Sequence, residues 1–207
     1  IAFVKETLRN AEGGHDWFHI QRVYKLALHI AQKEEGDLFI VSLGALLHDI
    51  ADSKFHEGNE EVGPQMAREF LARQEVPPEA ISHVVKIIEN ISFKGGNEKQ
   101  QFHSPELAVI QDADRLDAIG AIGIARTFNY GGFKNRPLYD PEIPPNLHMT
   151  KEEYKASTAP TINHFYEKLL LLKDRMNTET GRQLALERHQ YMVEFLDRFY
   201  QEWQGIR

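Results

Sequence analysis

Apolar residues recur along most of this chain at steps of three and four, the spacing that gathers side chains on one face of an α-helix. Phe3, Val4 and Leu8 mark a short helix over 2–10 that Glu12-Gly13-Gly14 ends. A second helix is predicted over 17–35, with Asp16 as its N-cap and Phe18, Val23, Leu26, Ala27 and Ile30 on one buried face. Gly36 stops it, and Asp37 caps a third helix from Leu38 to about Ile50. The run FIVSLGALL within it is apolar on nearly all sides, which puts this helix in the centre of a domain.

After a looser stretch from Ser53 to Gly58, a helix from about Asn59 to Gln74 turns Val62, Met66, Phe70 and Leu71 inward. Pro77-Pro78 mark the next start, and Ala80 to Asn90 bury Ile81, Val84, Val85 and Ile88. Phe93 to Asn97 form a glycine-rich turn, and Ser104 and Pro105 open a helix that runs through Gly120. Gly120 and Gly123 serve close helix packing. The stretch 129–160, with Gly131-Gly132 and prolines at 137, 141, 144, 145 and 160, is the long irregular segment, and such segments in compact domains are often functional. Two helices, about 161–176 and 178–203, finish the chain, the second capped by Thr178. With no strand alternation, repeat or linker, the expectation is one all-α domain over 1–207, a bundle of about eight or nine helices.

Composition narrows the function. The 207 residues include 31 acidic and 24 basic side chains, a formal net charge of -7. Non-specific nucleic-acid binding needs a basic surface, so a nucleic acid polymer is not expected as partner. A small anionic substrate stays compatible if a bound cation supplies local positive charge. The absence of cysteine removes thiolate metal sites, cysteine nucleophiles and disulfides, and fits a reducing cytoplasm, the expected location. No signal-type apolar segment opens the sequence, and no apolar run approaches the roughly 18 residues that span a membrane.

The strongest chemical signal is His48-Asp49 at the end of the apolar helix, in LGALLHDIAD. Ionisable side chains in such surroundings are costly unless paired or metal-bound. His19 lies on the preceding amphipathic helix, in HDWFHIQRV, and Asp114 on a later one, in QDADRLDAIGAIGIART. The order H, HD, D resembles the metal site of the HD-domain superfamily of phosphohydrolases. LLHDIADSKF, ISFKG and LKDRMNTETGR extend the likeness over nearly the whole chain, to the bacterial YedJ/YpgQ-like branch. That resemblance implies an HD-type helical bundle and a metal-dependent phosphohydrolase acting on nucleotides. Within that reading, a nucleoside triphosphate pyrophosphohydrolase is preferred over a nucleoside 5′-monophosphatase or a non-catalytic nucleotide-binding regulator. It also implies His19, His48, Asp49 and Asp114 as ligands.

Two imidazoles and two carboxylates suit one borderline or hard divalent ion, with Mn²⁺ favoured and Mg²⁺, Fe²⁺, Co²⁺, Ni²⁺ or Zn²⁺ also compatible. Four protein ligands leave room for water and a phosphate oxygen. Asp112 is the main rival to Asp114 as fourth ligand, and Asp117, one turn on, is suited to orienting a ligand or binding backbone. Asp52 shares the face of His48 if the helix continues, and by resemblance is a general acid/base. His15 is the second catalytic candidate, as a substrate contact. Arg22, Lys54, Lys94 and Arg115 are candidate phosphate ligands. Lys168 and Arg175, seven apart, share one face of a late helix and could close the pocket, although a solvated helix face is the preferred reading for them. The late aromatics Phe165, Tyr166, Tyr191, Phe195, Phe199, Tyr200 and Trp203 read as core.

Overall fold

The computed structural model describes residues 1–9, 11, 14–51, 59–91 and 102–206. Among them all regular structure is helical, as expected. The first helices are α1 (Ala2–Thr7), α2 (Trp17–Ala31), α3 (Leu38–Leu47), α4 (Val62–Arg73), α5 (Pro78–Ile91) and α6 (Pro105–Asp117). They are followed by α7 (Gly120–Phe133), α8 (Lys151–Ala156), α9 (Asn163–Glu167), a 3-10 helix (Leu169–Arg175) and α10 (Glu179–Trp203). The chain divides into two compact units, Ile1–Asp114 and Arg115–Arg207, with the division inside α6.

In the first unit the helix starts follow their caps. Asp16 accepts a hydrogen bond from the His19 N–H at 2.9 Å, Asp37 from the Phe39 N–H at 2.7 Å, and the Ser104 hydroxyl from the Leu107 N–H at 3.1 Å. Each satisfies a helix N–H that has no intrahelical partner. Pro78 opens α5, where a missing N–H costs nothing. Helix α3 packs against α2 and α5, and α4 against α5. Ile20, Val23, Ala27 and Ile30 of α2 are fully buried, as are Val41 and Ala45 of α3 and Val84 and Ile87 of α5. Each large aliphatic among them contributes roughly 1.5–3 kcal/mol. Gly44 lets α6 approach α3, since a Cβ there would stand 2.6 Å from Ile110 Cδ1.

In the first unit Phe18, expected in the core, is misplaced. Phe18 is 63% exposed, and Ile20 is buried instead. The step from Phe18 to Val23 is five residues, which at about 100° each leaves Phe18 well round the helix from the buried stripe. On α4 the innermost positions are Gly63, Ala67 and Leu71, with Val62, Met66 and Phe70 only half-buried.

The second unit departs further from the sequence reading. Helix α6 does not run through Gly120; that residue has φ +74°, a left-handed turn from which α7 starts afresh. A Cβ on Gly123 would fall 2.2 Å from the Ala118 carbonyl oxygen, so its glycine serves this tight turn rather than helix packing. Helix α8 lies inside the segment expected to be irregular, held by a Thr150–Glu153 capping box. The helix expected over 161–176 breaks at Lys168 (φ -143°, ψ -56°) and continues as the 3-10 helix. Seven residues return to one face only in an uninterrupted α-helix, so Lys168 and Arg175 do not share the face proposed for them. Thr178 caps α10 through the Gly181 N–H at 2.9 Å. Of the late aromatics, Phe165 is fully buried and stacks on Phe195 with centroids 5.8 Å apart, whereas Tyr191 and Trp203 are exposed.

Glu106 ties the start of α6 to the cap of α3. Its buried carboxylate accepts the Asp37 N–H at 2.9 Å and lies 3.4 Å from His83 Nε2. Burial pushes its pKa up, but the Asp37 N–H, its own N–H, the Ser104 hydroxyl and the nearby His83 outweigh that, so the carboxyl titrates below its ordinary value. A depressed folded pKa stabilises the protein above the unfolded pKa, and that contribution is lost as pH falls through the folded one. Glu106→Ala, which strands the Asp37 N–H, is expected to cost about 1–3 kcal/mol in urea unfolding at neutral pH. Glu106→Gln is expected to cost less and to flatten the loss of stability below about pH 4.3. An unchanged acid limb in Glu106→Gln contradicts this assignment.

Candidate metal centre

Helix α3 ends at Leu47, so His48 is its C-cap and Asp49 stands just past the helix end. The last carbonyls of a helix lack intrahelical partners, and His48 Nδ1 lies 2.9 Å from the Ala45 oxygen. Because a carbonyl only accepts, Nδ1 carries the proton, and Nε2 presents a lone pair. That Nε2 is buried and has no hydrogen-bond partner among the described residues. A lone pair buried without a donor is costly unless something electron-deficient meets it.

The surroundings of this atom are ligand-like. His19 stands in the first turn of α2, its backbone fixed by the Asp16 cap. The rings of His19 and His48 are 5.4 Å apart at 65°, and both residues are buried. One ligand atom from each of His19, His48 and Asp49 lies within 4.8 Å of the others, a cluster that could hold a metal ion. Asp114 Oδ1 lies 3.5 Å from His19 Nε2 and 3.9 Å from His48 Nε2. The buried orphan Nε2, a second imidazole and carboxylate oxygens fit a divalent cation by their donor chemistry.

His15, from the turn before α2, places Nδ1 2.5 Å from Asp49 Oδ2. Burial raises the Asp49 pKa, but the hydrogen bond with His15 and the fields of His48, His15 and His19 more than offset it, leaving a carboxylate of lowered pKa. The outer partner of a ligating carboxylate is part of such a site, because it sets the orientation of the first.

The other expected site residues are distributed as follows. Asp112 is fully buried in α6. Asp117 accepts from Arg126 Nη1 at 2.6 Å, an ion pair. Arg22 is half-buried one turn beyond His19 on α2. Arg115 donates through Nη1 to the Arg175 carbonyl at 2.5 Å. Asp52, Lys54 and Lys94 lie outside the described residues.

Beside the cluster opens a cleft of about 510 Å³ whose walls include His48, Asp49, Glu61, Arg68 and Ile88. Sequence reasoning missed Arg68. A single arginine on the polar side of an amphipathic helix carries no signal, and only the packing of α4 against α5 brings it to this wall.

The chain is similar to known proteins over nearly its whole length. A family model described as HD domain matches residues 17–119. The YpgQ protein of Bacillus subtilis is 39% identical over 205 residues, covering 99% of this chain and 92% of its own. A crystal structure of an HD-superfamily hydrolase from Bacillus thuringiensis superposes with a TM-score of 0.79 at 45% identity, covering 98% of this chain and 94% of that one. The crystal structure of Bacillus subtilis YpgQ in complex with ADP superposes with a TM-score of 0.76 at 34% identity, covering 100% of this chain and 99% of that one. The chain therefore belongs to the HD-domain superfamily of metal-dependent phosphohydrolases, in the branch that includes YpgQ.

Proposed function

We propose that this protein is a nucleoside triphosphate pyrophosphohydrolase whose ion, Mn²⁺ by preference, is held by His19, His48, Asp49 and Asp114. The observation that carries the reading is the buried His48 Nε2, without a hydrogen-bond partner among the described residues and set among His19, Asp49 and the Asp114 carboxylate. Asp114 is preferred to Asp112 because its Oδ1 stands within 4 Å of both imidazole nitrogens. Nucleotides are preferred as substrates because YpgQ has been crystallised with ADP.

When bound, a divalent ion supplies Lewis-acid activation of water and of a phosphoryl oxygen. The chain's own residues do the rest. Asp16 fixes the backbone of His19, the Ala45 carbonyl fixes the tautomer of His48, and His15 orients the Asp49 carboxylate. Arg22, one turn from His19, with Lys54 and Lys94, neutralises the phosphate chain, and Arg68 adds charge from the cleft wall. Asp52 takes the proton from the attacking water as its oxygen bonds the α-phosphorus. The bond from that phosphorus to the α–β bridging oxygen breaks, and pyrophosphate leaves with the electron pair.

Incubating Mn²⁺-loaded protein with a nucleoside triphosphate panel is expected to yield monophosphate and pyrophosphate on chromatography. Orthophosphate released from monophosphates would instead identify a 5′-nucleotidase, and no turnover of any nucleotide would leave a binding protein.

Asp49→Ala is expected to remove most bound divalent metal and activity while helicity by circular dichroism stays near that of the unaltered protein. Full activity in metal-free Asp49→Ala protein contradicts the mechanism.

Asp52→Asn is expected to keep its metal and to lose proton transfer, lowering kcat by about 10²–10⁴-fold with little change in KM. Steady-state kinetics and a metal count on the same sample decide it. Loss of metal would make Asp52 a ligand or ligand support, and an unchanged kcat would move the acid/base role elsewhere.

A further inference from the structure

Gln111 is a buried polar side chain of the unit Ile1–Asp114 to which the reaction above gives no part. It stands on α6, 3% exposed, between the fully buried Ile110 and Asp112. A buried amide is costly unless it is hydrogen-bonded, and this one is bonded to the end of α5. Its Nε2 donates to the Asn90 carbonyl at 3.0 Å and to the Ile91 carbonyl at 3.4 Å. Asn90 and Ile91 are the last two residues of α5, where a helix leaves carbonyls without intrahelical partners.

Asp114 follows three residues later on the same helix, a spacing that makes the two neighbours on one face. Its side chain is 40% exposed, and its Oδ1 lies 3.5 Å from His19 Nε2 and 3.9 Å from His48 Nε2. Those distances depend on the register of α6. A slip of one residue would move the helix by about 1.5 Å and turn it by about 100°, enough to take the carboxylate away from both imidazoles. Apolar packing, such as that of Ile110 against Gly44, is non-directional and resists such a slip only weakly. Hydrogen bonds weaken steeply once bent. Two of them from one amide to successive carbonyls fix both the rotation and the rise of this turn. Glu106 makes a comparable tie to the Asp37 N–H at 2.9 Å, but more than two turns before Asp114.

We propose that Gln111 is a positioning residue for the metal ligand Asp114, holding the ligand-bearing turn of α6 in register against the end of α5. The inference rests on the assignment of Asp114 as a ligand made above. Gln111 touches neither ion nor substrate in this role. It acts through the helix backbone, and its effect is read in the affinity for metal.

The test uses the full chain, stripped of metal with EDTA and titrated with Mn²⁺ by calorimetry, with urea unfolding of the metal-free protein alongside. Gln111→Met fills a similar volume with an unbranched side chain that has no donor. It should weaken Mn²⁺ binding by about tenfold or more, the range seen when a residue supporting a metal ligand is lost. Asp114→Ala should also weaken binding, and adding Gln111→Met to it should change the affinity no further, since the two act through one interaction. Ile110→Val, which trims packing on the same helix, should lower stability while Mn²⁺ affinity stays within about twofold. In the unaltered chain, diamagnetic Zn²⁺ should slow solvent exchange of the Gln111 Nε2 protons, because the coupling is reciprocal. Unchanged Mn²⁺ affinity in Gln111→Met, beside a weakened Asp114→Ala, overturns this proposal alone. So do additive losses in the double variant, or a loss in Ile110→Val equal to that in Gln111→Met. Unchanged affinity in Asp114→Ala overturns the ligand assignment and this inference with it. Should Gln111→Met fail to fold, Gln111 amide exchange that Zn²⁺ leaves unaltered overturns the proposal, and slowed exchange upholds it.

Discussion

The imidazole of His48 is buried at the end of the most apolar helix of its unit, with one nitrogen bound to a helix-end carbonyl and the other without a donor among the described residues. That arrangement is costly in an empty core, and the rest of the unit is arranged around it. Helices α2 and α5 enclose α3, Gly44 lets α6 come close, and α6 in turn brings Asp114 beside both histidines. The Asp16 cap fixes the first turn of α2 and with it the backbone of His19. Folding elements and ligand supports are thus the same bonds.

What the sequence made legible divides along physical lines. The caps at Asp16, Asp37 and Thr178 and the buried stripes of α3 and α5 were readable, because side-chain capping and helical periodicity are local properties. The H, HD, D order marked His19, His48 and Asp49, which cluster in the first unit, and Asp114, whose Oδ1 lies within 4 Å of both imidazoles. The second unit was harder. A glycine with positive φ ends one helix and begins another without any polar or proline signal to announce it, so α7 went unseen. The Thr150–Glu153 capping box was present in the sequence but stood among prolines that argued for loop. The break at Lys168 falls in an unbroken run of helix-favouring residues, and only the tertiary packing of the 3-10 helix against α9 and α10 produces it.

Pairings between distant residues were the other blind spot. His15 was readable as a neighbour of the site but not as the partner of Asp49, since the two are separated by the whole of α2 and α3. Arg68, Arg126 and Gln111 belong to the same class. Each is an ordinary surface-type residue in the sequence and gains chemical meaning only from what the fold sets against it. In this chain the division has a functional side. The ligand order is carried by sequence, whereas the groups that set charge and orientation around it are carried by packing.

Metal binding here depends on His48 and on the three side chains set around its buried Nε2, His19, Asp49 and Asp114. Anomalous diffraction from crystals grown with Mn²⁺ measures this directly. The expected result is one strong anomalous peak bonded to His19 Nε2, His48 Nε2, Asp49 and Asp114, with His15 still on the outer oxygen of Asp49. A peak that leaves His48 Nε2 unligated, or that takes Asp112 in place of Asp114, would contradict it.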